Sequence, residues 1–225
     1  MLLNDKRIRI ITGHYGSGKT EFAVNYAVKL ADLGKKVAIA DMDVVNPYFR
    51  SRECELILEE KNIELLGFIL KEHGMDLPAV SGNVMKPFRD DSYEYVIDLG
   101  GSSGGAKAFS SFRSLINPEL CDLFFVLNAN RPETMDLDSA LAELDLIEGT
   151  LNMKVTGIIN NTHLIWETTV DDIRKGDILA KEISTIRGIP VKYTSFKSDL
   201  ENALPKNEFS GNLFPLRMLN RKSWM

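Results

Sequence analysis

Short apolar runs recur along the chain, each bounded by turn residues and separated from the next by a longer stretch with apolar positions at helical spacing. The runs cover 7–12, 36–41, 93–98, 123–128, 155–160 and 190–195, with 63–70 a candidate for another. Their near-continuous Val, Ile, Leu and Phe content suits strands covered on both faces, and alternation with helical stretches is the mark of parallel βαβ units. Between the first two runs, Phe22, Tyr26, Leu30 and Leu33 follow helical spacing, and Gly34 stands where a left-handed residue would end the helix. Leu137, Leu141 and Leu144 predict a helix after Pro132, with Glu133, Asp136 and Asp138 near its positive end. No repeat, low-complexity tract or Pro/Ser-rich linker divides the chain. The pattern therefore predicts one three-layer α/β domain over 1–225, a mostly parallel sheet with helices on both faces, its core at about 7–196 and a tail at 197–225.

Composition narrows the class without changing that picture. The 225 residues are 44% hydrophobic and 26% charged, as in an ordinary soluble domain, which excludes disordered, collagen-like and mucin-like chains. Lys and Arg number 27 against 32 Asp and Glu, a net charge of −5, so binding of nucleic acid by bulk charge is not expected. Cys54 and Cys121 lie far apart and form no ligand cluster, which argues against a disulfide framework or a self-contained zinc or iron–sulfur site and for a reducing cytosol. The first residues carry no apolar core with a cleavage site, and no run approaches the ~20 apolar residues of a membrane span. The expectation is a cytoplasmic protein.

The chemistry concentrates where strands end. Gly13-His14-Tyr15-Gly16-Ser17-Gly18-Lys19-Thr20 fits the phosphate-loop pattern GxxxxGK[ST], and it lies between a strand and a helix as that function requires. The glycines let backbone N–H groups face phosphates, the helix adds its positive end, Lys19 reaches the terminal phosphates and the Thr20 hydroxyl is offered to Mg²⁺. The cradle is expected to run from Gly13 through Glu21. The run that ends at Asp98 supplies a second Mg²⁺-supporting carboxylate, and Gly100 and Gly101 bring backbone N–H groups toward a γ-phosphate, followed by small residues from Ser102 to Gly105. Leu99 occupies the position where many such ATPases carry a catalytic Glu, so water must be positioned from elsewhere. Asp41 and Asp43, at i and i+2 after the second strand, point the same way and face Mg²⁺ and the attacking water, with Asp43 the stronger water-positioning candidate; Asp41 equally fits a simple turn-capping role.

The order of phosphate loop, DxD after the second strand and an apolar run ending in Asp before glycines resembles the deviant-Walker-A family of P-loop ATPases, which includes MinD, ParA, the nitrogenase iron protein and the CobQ/CobB group. The resemblance spans about 7–196 and implies an ATP and Mg²⁺ site with the P-loop fold. It further implies that Asn161, in Gly157-Ile158-Ile159-Asn160-Asn161, contacts adenine, and that Thr194, Ser195 and Phe196 cup the base from the other side. His14 occupies the place of the family's signature lysine, which in relatives crosses a dimer to the other subunit's nucleotide; a nucleotide-dependent homodimer is implied, looser here because an imidazole is a weaker cation. The bridging cysteines of the iron-protein branch are missing.

Other features read as mundane. His73 and His163 have no partner at ligand spacing and read as surface or network histidines, and Arg50 and Arg52 as solvated charges. The stretch 213–224 mixes apolar, basic and Trp residues as a short membrane-surface helix would, but Pro215 interrupts it and packing against the domain is favoured. Three function classes fit: a slow ATPase switching an unidentified partner protein between nucleotide states, a small-molecule kinase or ATP-dependent ligase of the CobB-like type, and a nucleotide-binding protein without appreciable hydrolysis. The first is favoured, because both switch loops are present and no separate substrate domain is visible.

Overall fold

Successive residues of the first strand face opposite layers, which sets the architecture. In β1 (Ile8–Thr12), Ile8 and Ile10 join one apolar cluster and Ile11 the other, so the strand is covered on both sides as its unbroken apolar run predicts. The computed structural model describes residues 2–42, 54–69, 79–80, 82–101, 109, 113, 116–205 and 207–219. Its strands are β1, β2 (Lys36–Asp41), β3 (Glu64–Ile69), β4 (Ala79–Val80), β5 (Tyr93–Asp98), β6 (Cys121–Leu127), β7 (Gly157–Asn160), β8 (Val191–Lys197) and β9 (Asn212–Leu216). They form one sheet in the order β4-β3-β2-β5-β1-β6-β7-β8-β9, parallel throughout except for the short antiparallel β3–β4 pair. The expected three-layer, mostly parallel α/β fold is the one observed.

Helices fill both outer layers. On one face α1 (Lys19–Asp32) and α2 (Glu55–Glu60) bury Phe22, Tyr26, Leu30 and Leu58; on the other α4 (Leu137–Leu151) and α5 (Val170–Arg187) bury Leu144, Ile147, Leu179 and Ile183, with the short α3 (Lys86–Arg89) beside them. Gly34 ends α1 at φ +76°, its N–H on Ala31 O, as the sequence predicts. Both α4 and α5 begin in capping boxes, Asp136 with Ser139 and Thr169 with Asp172. At Gly176 a Cβ would collide with Thr162 Oγ1 and Asn160 Oδ1, so only glycine lets α5 lie this close to the end of β7.

The amino-terminal edge of the sheet is closed by a polar network. Asp5 accepts from the hydroxyls of Tyr26 and Tyr193 and from Lys192 Nζ, while Arg9, itself buried, pairs with Glu94. Burial holds the Tyr26 phenol far above its ordinary range, so it remains a neutral donor.

The sheet continues into the stretch that follows residue 196. Phe214 and Leu216 point inward at a strand's period of two, and β9 pairs in parallel with β8, so 212–216 packs against the domain as a strand. Pro215 is tolerated because β9 is an edge strand. Asn25 docks this segment on α1: its Nδ2 donates to Arg217 O and its Oδ1 accepts from Arg217 N, each at 2.8 Å, and Glu21 Oε1 accepts from Leu219 N at 2.6 Å.

Replacing Asn25 by Ala removes both bonds to Arg217 at once. The expected loss is about 1–3 kcal/mol, read as a lower urea midpoint with an unchanged slope; an unchanged midpoint would show that the segment is held by its apolar contacts alone.

Candidate functional site

The sheet order reverses at β1: its chain-adjacent partner β2 lies on the β5 side and the later strands on the β6 side. Open parallel sheets bind ligands at such a point, beyond the carboxyl ends of the strands. The phosphate loop sits there, between β1 and α1. Helix α1 begins at Gly18, at φ +82°, with no side-chain cap, unlike α4 and α5. A glycine at the cap brings no side chain of its own to the helix end, and the positive end of α1 faces the crevice where an anion would sit.

The loop is held by three side chains carried just past the ends of two other strands, β6 and β7. Asn161 Nδ2 donates to Ser17 O at 2.7 Å, Arg131 Nε to Gly16 O at 3.1 Å and Asn128 Nδ2 to Gly16 O at 3.4 Å. Asn128 is fully buried, and its Oδ1 accepts from the N–H groups of Asn130 and His163, so one carboxamide ties the phosphate loop to the ends of β6 and β7. Space is equally tight. A Cβ at Gly13 would lie 2.6 Å from Val126 O; one at Gly18 would collide with Asn161 Nδ2, and one at Gly101 with Gly13 O.

Thr20 Oγ1 donates to Asp98 Oδ2 at 2.6 Å, both groups buried. With its proton on the carboxylate, the hydroxyl oxygen keeps lone pairs for a cation, and a hydroxyl beside a carboxylate is the hard oxygen set that Mg²⁺ prefers. Asp41 is buried at the end of β2 in register with Asp98, which brings both carboxylates to one sheet edge, and Lys19 is buried in the first turn of α1. Asp43, Arg50, Arg52, His73, the Ser102 to Gly105 loop and 220–225 lie outside the described residues.

Beside the loop, a cleft is lined by Gly16, Gly18, Glu21, Asn161, His163, Ile165, Phe196, Leu216 and Met218, among others. Ser195 also lines it, its hydroxyl donating to Asn161 Oδ1 at 2.7 Å, so Asn161 braces the loop with one end of its amide and meets Ser195 with the other. Thr194 is placed differently from the expectation: its side chain is buried toward Asp177, on the opposite face of β8 from Ser195. His14 approaches Glu133, Nδ1 to Oε2 at 3.5 Å, and Tyr15 is exposed at the loop's crest. His163, read from sequence as a surface or network histidine, accepts from Ile165 N at its Nδ1 and walls the cleft against Gly18. Ile165 holds φ at +58°, a strained conformation for a β-branched residue and one that functional loops harbour.

Sequence reasoning missed Asn128, Arg131, Ile165, Leu216 and Met218. The signal for the first two was positional: β6 adjoins β1, so whatever follows β6 opens beside the phosphate loop.

Known proteins agree with the geometry. The family model described as the CobQ/CobB/MinD/ParA nucleotide binding domain matches residues 8–174. Among solved structures, the cell division protein FtsY from Thermotoga maritima superposes with a TM-score of 0.54 at 22% identity, over 84% of this chain and 61% of that one. FtsY from Mycoplasma mycoides gives 0.53 at 20% identity, over 84% and 59%. The 54 kDa signal recognition particle protein from Aeropyrum pernix, solved with GDP, gives 0.51 at 19% identity, over 82% and 40%. The chain thus spans less than two thirds of each of these proteins, and at such identity the likeness is one of fold. No curated protein sequence matches it significantly.

The glycines separate binding from stability. Gly18→Ala drives a Cβ into Asn161 from a left-handed backbone, and is expected to weaken nucleotide binding and to cost about 1–3 kcal/mol of stability. Gly34→Ala, at φ +76° with nothing within 4 Å, should cost about 1–2 kcal/mol and leave binding intact. Calorimetric titration and thermal melting of both variants check this; equal binding by both would detach Gly18 from the site.

Proposed function

The chain belongs to the CobQ/CobB/MinD/ParA nucleotide-binding family, and we propose that within it the protein is a Mg²⁺-dependent ATPase, slow by itself, that switches a partner protein between ATP and ADP states. The observation that carries this reading is the bond from Thr20 to Asp98 beside Lys19. Lys19 contacts the terminal phosphates, the loop backbone from Gly13 to Glu21 cradles them, and Asp98 holds the Thr20 oxygen toward the cation. When bound, Mg²⁺ neutralises charge on the phosphates. Asp41, at the edge beside Asp98, and Asp43 beyond it are assigned to orienting water.

The switch reading rests on topology. The loops that leave β2 and β5, which pair with each other, start side by side next to the phosphate loop. Both would meet a γ-phosphate and lose it together on hydrolysis. A nucleotide-dependent homodimer and an unidentified protein partner complete the proposal. The cell interior is the proposed setting, and among the described residues no helix is long and apolar enough to cross a membrane.

ATP is proposed over GTP. Guanine readers place a carboxylate against the base's N1 and N2 groups. The carboxylate lining this cleft is Glu21, whose Oε1 already accepts from Leu219 N, and beyond Asn161 the loop offers the exposed Leu164.

Lys19→Ala is expected to lower ATP affinity roughly 10- to 100-fold, as loss of a charge-assisted contact of about 1.5–3 kcal/mol dictates, with the fold kept. Asp43→Ala should bind Mg²⁺-ATP and fail to turn it over. Phosphate release together with calorimetry reads both, and a parental rate in Asp43→Ala would move the water-positioning role to another residue. In competition binding ATP should outcompete GTP by about 1–3 kcal/mol, the worth of one or two hydrogen bonds; equal affinities would overturn the adenine reading.

A further inference from the structure

Arg131 brings a second fixed cation to the phosphate loop without belonging to any nucleotide motif. It stands just beyond β6, half-buried, with Nε on Gly16 O at 3.1 Å. The fit is close: a Cβ on Gly16 would lie 2.9 Å from Arg131 Nε, 3.0 Å from Cζ and 3.3 Å from Nη2, and Gly16 sits at φ +79°. A side chain at position 16 would displace the guanidinium, and the left-handed backbone there disfavours one in any case.

The rest of that guanidinium is uncommitted. Among the described residues, no carboxylate lies within ion-pair distance of Arg131 and its terminal amino groups have no protein hydrogen-bond partner. The nearby Glu133 faces His14 instead. A guanidinium stays protonated at any physiological pH and carries five donors in a planar fork suited to phosphate oxygens. Its charge sits against the phosphate loop with its terminal amino groups open to a ligand.

We infer that Arg131 is a phosphate-contacting residue of the nucleotide site: Nε holds the Gly16 carbonyl in place, and Nη1 and Nη2 take oxygens of the bound nucleotide's polyphosphate. The inference rests on the phosphate-loop reading and adds to it a cation that arrives from the β6 end. It also explains why the carbonyl of Gly16 is held by an arginine when Asn128 already reaches it. A brace alone needs a donor; a phosphate contact needs the charge.

The test separates those roles. Arg131→Gln keeps an N–H donor for Gly16 O and removes the charge, whereas Arg131→Lys keeps the charge. Binding of Mg²⁺-ATP, Mg²⁺-ADP and AMP is measured for both variants and the parent across roughly 50 to 300 mM salt, with thermal melting as the check on folding. The expected result for Arg131→Gln is a loss of about tenfold or more for ATP and ADP, little change for AMP and a shallower salt dependence, with Arg131→Lys retaining more affinity than Arg131→Gln. Parental ATP affinity in Arg131→Gln overturns the inference. So does an equal loss for ATP and AMP at unchanged salt dependence, which marks a brace only. Parallel titration of Lys19→Ala keeps the two readings apart: weakened Lys19→Ala with unaffected Arg131→Gln sinks the arginine contact and leaves the phosphate loop standing.

Discussion

A loop that reserves its N–H groups for an anion has to have its carbonyl oxygens answered from outside, and the site depends on how this chain meets that requirement. Asn161 answers Ser17, while Asn128 and Arg131 answer Gly16. Each of these groups is carried just past the carboxyl end of a parallel strand, β6 or β7, that lies on the same side of β1. The loop therefore takes its rigidity from the sheet, and the sheet can impose it because the strands are covered on both faces. An uncapped helix would otherwise be a weak point; here the missing cap of α1 is what leaves room for ligand.

The same constraint explains what was legible in the sequence. Contiguous features came through: the apolar runs became β1, β2, β3, β5, β6, β7 and β8, Gly34 closed α1, and the phosphate-loop spacing landed at the switch point of the sheet. The edge strands did not. β4 spans only Ala79–Val80, and β9 carries a proline and an alternating pattern too short to outweigh it. The braces were invisible for a different reason. Asn128 and Arg131 act on Gly16 across separations of more than a hundred residues, and no local period encodes which carbonyl a side chain will reach. Thr194 turns its side chain toward Asp177 while its neighbour Ser195 lines the cleft, because a resemblance to a segment does not say which alternate residues point which way.

Membership of the family and likeness to FtsY describe the sheet and its loop, and the individual character of this protein lies around them. His14 turns toward Glu133 of its own chain, so the crest of the loop carries an imidazole beside an acid, and Lys19 and Arg131 bring permanent positive charge to the loop. The cleft beside the loop is equally particular. One wall is Ile165, held in a strained conformation, and the other includes Leu216 and Met218, supplied by the strand at the far edge of the sheet and its continuation.

That last wall has a consequence for how the protein comes into being. The phosphate loop is a contiguous piece of chain, yet Glu21 and Asn25 beside it bond to Leu219 and Arg217 across separations of 198 and 192 positions. Contacts this distant in sequence close the largest loops and form late, and a growing chain folds from its amino-terminal end. The cleft beside the loop thus stays incomplete until the segment that carries Leu216 and Met218 has been made. Because these two side chains come from β9 and its continuation, a full cleft reports that the sheet has been assembled to that edge, and a chain that stops short of it has a phosphate loop without a finished pocket beside it.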